Sequence, residues 1–375
     1  MTENLTSVHA EGQLVSVAWA NGQSATFHAI WLYDNCSRRM HPKTWEKIAD
    51  VSDIDLDIAP DSVEVSSSGE LVVTWPSGGE SRFDSAYLMR HRYLEEGSRV
   101  DGGELTLWDS SIFNQLPEAQ FEAIINSDEG LLSFLKQVRD IGFSIVRNMP
   151  DREWSNEDVA ARIAYTRQTN FGRRFDVVSM PNPNNQAYTH DALRCHTDLT
   201  NWETPPGVQF LHCLVSGAEG GESRLVDGFK CAELLSEQDA EAWELLTSVP
   251  LSARFHDTEW DLRWRSPAIR LHADGSYHEI RYNPGLAAPY EIAPELVKPI
   301  YTALQKYAAL LKDPANEIAF KLEQGDMMVF NNRRVLHGRT AFDPNTGPRK
   351  LQGIYVDLDE WNSRIRVLES ANLEH

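Results

Sequence analysis

The sequence is poor in cysteine: Cys36, Cys195, Cys213 and Cys231 are its four, at no spacing that a disulfide framework would need. Its first residues lack the basic and apolar segments of a secretory leader, so reduced thiols and a cytoplasmic protein are expected. No apolar run approaches the ~20 residues that cross a bilayer. Basic residues are scarce too. There are 35 Lys and Arg against 56 Asp and Glu, a net charge of −21, and such a field repels phosphate backbones and anionic lipid. Neither nucleic acid nor a membrane is an expected partner. A Gly-rich phosphate loop is also absent, which argues against a doubly wound, nucleotide-binding sheet.

What remains is an ordinary globular composition, 41% hydrophobic and 24% charged, in a chain of 375 residues, longer than one core usually supports. Two segments read alike. Residues 13–33, which contain LVSVAW-ANGQ-SATFHAIWL, and 63–88 (VEVSSSGELVVTW-PSGG-ESRFDSAYL) each alternate apolar residues, turn at a glycine and resume, with Trp19 and Trp75 before the turn and Phe27 and Phe83 after it. They predict two β-hairpins in a small β-rich domain, through a loose duplication or through chance likeness of amphipathic hairpins. The loop-like stretch EEGSRVDGGE at 95–104 places the boundary, giving domains of 1–100 and 101–375.

In the larger domain, Phe113 to Val138 shows helical spacing broken near Ser127, and IGFSIV follows as a buried strand. Further strands are predicted at 207–215, 223–226, 268–272, 278–282, 326–330 and 351–357, with helices at 158–169, 229–247 and 294–312. Many short strands with few helices predict a mainly β fold with helices, a double-sheet barrel.

The sharpest chemical pattern is Cys195-His196-Thr197-Asp198. Alternation along a strand would turn His196 and Asp198 to one side, ready to share a metal ion. A second His-x-Asp, His272-Ala273-Asp274, precedes a glycine and reads as a hairpin tip. His337 follows in MMVFNNRRVLHGR, and Arg349 lies just before the strand LQGIYVDL. Two histidines and a carboxylate form a facial triad that leaves positions on ferrous iron open for a 2-oxo acid and dioxygen. An arginine one strand away can clamp the far carboxylate of 2-oxoglutarate in a bidentate pair that lysine would not reproduce.

These elements, with WLYDNC, HTDLTNWETPPGVQFLHC, GGESRLVDGF, FNNRRVLHGR and GIYVDLDEWNSRIRVL, closely resemble the γ-butyrobetaine hydroxylase and trimethyllysine hydroxylase family of iron and 2-oxoglutarate dioxygenases. The resemblance runs over nearly the whole chain. It implies a distorted jelly roll (double-stranded β-helix), with His196, Asp198 and His337 holding Fe(II) and Arg349 holding the cosubstrate. It also implies an aromatic cage for a trimethylammonium group, at Phe171, Phe175, Tyr188 and Tyr355, because a quaternary cation has no N–H to donate and is held by cation–π attraction. The same four residues would serve as ordinary core aromatics. Asn185, in the stretch NNQAY, matches a substrate-binding amide or caps a turn. Family members commonly dimerise, and a homodimer stays open here.

The sequence departs from the family twice. Where the first domain usually binds zinc through Cys-x-Cys-x-x-Cys and a later histidine, this chain has Cys36-Ser37-Arg38-Arg39-Met40-His41 and Gly79, which predicts no zinc. Where the family binds the substrate carboxylate with an asparagine, EIRYNPGLAAPY offers Pro284, with Asn283 and Arg281 nearby. One relative hydroxylates 2-(trimethylammonio)ethylphosphonate, and Asn201, Arg281 and Asn283 are candidates for that anion, or solvated loop residues. The expected activity is therefore hydroxylation of a small trimethylammonium zwitterion at the carbon second from nitrogen. The phosphonate is the first choice, γ-butyrobetaine the second and a metal-free betaine-binding module the alternative of another class.

Overall fold

The computed structural model describes residues 4–93, 103–178 and 189–371. The chain divides into two compact units, Met1–Ser98 and Arg99–His375.

In the first unit, β1 (Leu5–Glu11), β2 (Leu14–Trp19) and β3 (Ser24–His28) form an antiparallel sheet followed by α1 (Ala29–Asp34). The pattern then repeats as β4 (Ser62–Val65), β5 (Leu71–Thr74), β6 (Glu80–Phe83) and α2 (Ser85–Arg90). Matching turns explain the likeness: the backbone N–H of Trp19 donates to Gln23 O at 2.9 Å, and that of Trp75 to Gly79 O at 3.2 Å. Trp19, Phe27, Trp75 and Phe83 then meet in one buried cluster. The indole N–H of Trp19 donates to Ser85 Oγ at 3.0 Å and that of Trp75 to Ser81 Oγ at 2.8 Å, so neither is buried unpaired. Cys36 packs in the same cluster, whereas His41 is exposed, its Nδ1 accepting from the backbone of Thr44 at 3.2 Å. Arg38 Nη1 donates to Gly78 O at 2.8 Å and lies where a Cβ at Gly79 would stand, 2.5 Å away.

The second unit opens with β7 (Glu118–Gln120), α3 (Phe121–Asn126), α4 (Asp128–Asp140), β8 (Phe143–Arg147), α5 (Asn156–Ala161), β9 (Phe175–Val177), β10 (Leu193–His196), β11 (Val208–Ser216), β12 (Glu219–Gly220) and β13 (Ser223–Asp227). It continues through α6 (Gly228–Gln238), α7 (Ala240–Ser248), β14 (Leu251–His256), β15 (Asp261–Ser266), β16 (Ile269–Leu271), β17 (Tyr277–Ile280) and α8 (Pro294–Lys312). Last come β18 (Glu317–Phe320), β19 (Met327–Asn331), β20 (Val335–Arg339), β21 (Phe342–Asp343), β22 (Arg349–Val356) and α9 (Leu358–Ala371).

Two sheets position the site: a larger one ordered β7-β8-β19-β11-β22-β9 and a smaller one ordered β10-β20-β13-β18. Side-chain alternation gives each sheet two apolar faces. On the large sheet Val208, Phe210, Val329, Ile354 and Val356 pack under α3, α4, α5 and α9, whereas Leu211, Met328 and Leu351 face inward. On the small sheet Val226 and Leu336 turn out toward α6, α7 and α8, whereas Leu225 and Val335 turn in. The inward residues form a shared core, the sandwich expected of a jelly roll.

Several expectations shift. The helix predicted at 229–247 is two helices, because Asp239 leaves helical geometry and caps α7, accepting from Ala242 N at 3.0 Å. The helix predicted at 158–169 is the short α5, ending at Ala161. The hairpin β14–β15 went unpredicted, although Leu251, Ala253 and Phe255 alternate with polar residues there. Ser127 does interrupt the helical run, capping α4 through Gly130 N at 3.1 Å. Asp274 sits at the tip between β16 and β17, accepting from Ser276 N at 2.9 Å. Among the described residues no helix is long and apolar enough to cross a membrane.

Candidate active site

Strands of both sheets, with β14, line a cavity of about 720 Å³. His196 ends β10 and pairs across the sheet with His337 of β20, placing the two imidazole centroids 4.5 Å apart. Asp198 joins them by a different route from the one its spacing predicts. The strand stops at His196, and Asp198 opens a turn in which Leu199 takes a left-handed φ of +56°. Asn332, fully buried, holds that turn: its Oδ1 accepts from the Asp198 N–H at 2.7 Å and its Nδ2 donates to the Asp198 carbonyl at 3.2 Å. Strand alternation therefore does not bring the carboxylate to the histidines; a clamped turn does.

The donor set fits a cation. His196 Nδ1 donates to the Arg194 carbonyl at 2.8 Å, which leaves the Nε2 lone pair facing Asp198 Oδ1 at 3.1 Å. Two acceptors at that distance repel unless a proton or a metal lies between them. Asp198 Oδ2 is 3.8 Å from His337 Nε2, and ligand atoms of the three residues lie within 4.8 Å of one another. Burial pushes His337 down to about 3. Burial opposes ionisation of Asp198, but the histidines and Tyr355 outweigh it and hold the carboxyl below its ordinary range. Burial is the largest single influence on His196 and opposes its charge, but contact with the Asp198 carboxylate, its negative charge and the neighbouring backbone together outweigh burial and raise it. A neutral imidazole and an ionised carboxylate are the forms that bind metal.

Arg349 begins β22 at the other end of the cavity. Burial lowers its pKa, and among the described residues no carboxylate pairs with it. Arg339 lies nearby, also lowered by burial and then by the charge of Arg349, to about 10. Both guanidinium groups lie against the Phe342 ring, at 5.2 and 5.5 Å from its centroid. Two cations on one wall suit a dianion.

Phe171, Phe175 and Tyr355 also line the cavity, with Phe175 and Tyr355 centroids 5.1 Å apart. Tyr188 and Asn185 lie outside the described residues. Gly353, paired with Phe175, makes room for that ring: a Cβ there would stand 2.1 Å from Phe175 Cε2. A glycine inside a strand marks such close approach, a signal present in GIYVDL but not used.

The three anion-site candidates separate. Arg281 is not among the residues that line the cavity: its guanidinium donates to Glu279 at 2.7 Å and to the carbonyls of Trp202 at 2.7 Å and Glu203 at 2.6 Å, bracing the turn that follows Asp198. Asn201 is also not among the lining residues, its amide buried and without a hydrogen-bond partner among the described residues. Asn283 reaches the lining, although its side chain bonds the Thr197 carbonyl at 3.1 Å and the Gly285 N–H at 3.0 Å. Basic residues that sequence reasoning missed line the cavity too: Arg194, Arg254 and His256. Arg254 and His256 belong to the unpredicted hairpin.

The model for the "Taurine catabolism dioxygenase TauD, TfdA family" matches residues 104–355, and that for "Gamma-butyrobetaine hydroxylase-like, N-terminal" matches residues 6–89. A gamma-butyrobetaine dioxygenase of Pseudomonas sp. (strain AK-1) is 37% identical over 95% of this chain and 94% of its own. The mitochondrial trimethyllysine dioxygenase of Bos taurus is 32% identical over 91% of this chain and 82% of its own. A solved structure, a putative alpha-ketoglutarate-dependent taurine dioxygenase from Burkholderia xenovorans, shares the fold with a TM-score of 0.51 at 14% identity, covering 68% of this chain and 91% of its own. With the buried His–Asp–His donor set, these matches make the protein a dioxygenase that works with Fe(II) and 2-oxoglutarate, and the chain belongs to the taurine catabolism dioxygenase TauD, TfdA family.

Proposed function

We propose that His196, Asp198 and His337 hold the iron, that Arg349 holds the far carboxylate of 2-oxoglutarate, and that the substrate is a small trimethylammonium zwitterion hydroxylated at the carbon second from nitrogen. One observation carries the reading: a single cavity is lined by the His–Asp–His cluster, by Arg339 and Arg349, and by the aromatic rings of Phe171, Phe175 and Tyr355. When bound, Fe(II) with dioxygen and 2-oxoglutarate supplies the oxidation, 2-oxoglutarate leaving as succinate and carbon dioxide while one oxygen atom enters the substrate C–H bond.

The chain's residues do the positioning. Phe171, Phe175 and Tyr355 offer ring faces to a cation that cannot hydrogen-bond. Arg339, spread over Phe342 beside Arg349, adds positive potential at the cosubstrate end. For the substrate anion, Arg194, His256 and Asn283 are the lining groups of suitable chemistry, whereas Arg254 is already paired with Asp261.

Within that class the proposed substrate is 2-(trimethylammonio)ethylphosphonate, supported by the basic lining and by Pro284 at the family's carboxylate-binding position. The second reading, γ-butyrobetaine, is favoured by the relative named gamma-butyrobetaine dioxygenase. A panel of trimethylammonium zwitterions, assayed for succinate and for product mass with and without Fe(II), tests both. Iron-dependent addition of one oxygen atom to the phosphonate, faster than to γ-butyrobetaine, is expected. Faster γ-butyrobetaine turnover would select the second reading, and no hydroxylation of any trimethylammonium compound would overturn the substrate class.

A further inference from the structure

Tyr355 touches two parts of the site at once. Its ring stands beside Phe175 in the wall of the cavity, and its hydroxyl donates to Asp198 Oδ2 at 2.7 Å. The tyrosine is 4% exposed and sits on the inner face of β22, paired with Gln209 of β11, so the hydroxyl is delivered by the sheet rather than by a loop. The carboxylate it meets needs such a partner. Asn332 fixes the Asp198 peptide through both its N–H and its carbonyl, but the terminal torsion of an aspartate is broad and roughly two-fold. Backbone clamping alone leaves open which oxygen faces which neighbour. With Oδ2 taken by the phenol, Oδ1 is the oxygen turned to His196 Nε2 at 3.1 Å.

We propose that Tyr355 is a positioning residue for the metal as well as a wall of the cation cage: its hydroxyl orients the Asp198 carboxylate, and its ring faces the substrate. The inference rests on the reading that His196, Asp198 and His337 hold iron. Hydrogen-bond partners behind metal ligands change metal affinity by roughly 10- to 100-fold when removed, because they set ligand orientation and basicity. The ring and the hydroxyl are separable by substitution. Tyr355→Phe keeps the ring and its packing against Phe175, and Tyr355→Leu removes both.

The test is titration with Co(II), a redox-quiet probe of the ferrous site, under anaerobic conditions, for the unmodified protein and both variants, with thermal melts as a folding control. For Tyr355→Phe we expect an unchanged melt, Co(II) binding weakened about tenfold, kcat lowered at sub-saturating Fe(II) and KM for the best trimethylammonium compound of the panel changed less than about twofold. Tyr355→Leu adds a rise in KM of roughly tenfold, the size of a lost cation–π contact. A Tyr355→Phe variant that binds Co(II) as tightly as the unmodified protein would overturn the proposal, since a packing role alone predicts that result. Failure of the unmodified protein to bind one equivalent would instead remove the iron-site reading beneath it.

Discussion

In the first unit, Trp19, Trp75, Phe27 and Phe83 close the space between two small sheets, and both buried indoles find a serine oxygen. In the second unit the space between two sheets is packed at one end only, by Trp108, Phe143, Leu225 and Phe330, and the other end stays open as the cavity. Among the described residues, polar groups of the cavity lining such as His337 Nδ1 and Gln209 Oε1 have no hydrogen-bond partner. Groups of that kind cost free energy unless a ligand or water meets them. One aromatic core is built for stability, and the other keeps room and unused valence for chemistry.

Substitutions should break the two regions in different currencies, activity in one and stability in the other. The largest effect is expected at the metal cluster: Asp198→Ala or His337→Ala should lower hydroxylation by about a thousandfold or more while the melting temperature changes little, since losing one of three ligands loses the metal. Full activity in either variant would move the iron elsewhere. Next is Trp75→Ala, which removes a fully buried ring and its hydrogen bond and should cost about 3–5 kcal/mol in the first unit, read as the shift of its denaturant midpoint. A shift under about 1 kcal/mol would show that this core is not what holds the unit.

Smaller effects sharpen the contrast within the cavity. Arg349→Lys should raise the 2-oxoglutarate requirement more than tenfold, because a bidentate charged contact is worth about 1.5–3 kcal/mol. An unchanged requirement would transfer the clamp to Arg339. Gly353→Ala should displace the Phe175 ring and raise KM for a trimethylammonium substrate by roughly 5- to 30-fold, about 1–2 kcal/mol of cation–π attraction. An equal rise in the 2-oxoglutarate requirement would show general distortion rather than a damaged cage.

The fold was legible where one face of a strand is apolar. The runs VQFLHCLVS, SRLVD and MMVFN alternate or stay apolar because helices cover one face and the inter-sheet core the other. The hairpin β14–β15 escaped because its polar and apolar residues are mixed with charges that pair locally: Asp261 accepts from Arg254 Nε at 2.7 Å and from Arg263 Nε at 2.9 Å. With the hairpin went Arg254 and His256. His196, Asp198 and His337 do come together, but by a route other than strand alternation, since Asp198 lies past the end of its strand.

The sequence by itself determined the residue inventory: a carboxylate two positions from a histidine, a second histidine on a later strand, an arginine opening another and aromatic residues to face a cation. Local spacing and alternation carry that much, because they depend on neighbours along the chain. Only the tertiary structure decided which of these residues share a cavity. Asn332 clamps Asp198 from 134 residues away, Tyr355 reaches it from 157, and Glu279 with the carbonyls of Trp202 and Glu203 engages the Arg281 guanidinium away from the cavity lining. Hydrogen bonds between residues so distant in sequence leave no periodic trace, so a side chain's partner, and with it the side chain's role, is settled when the sheets close on one another.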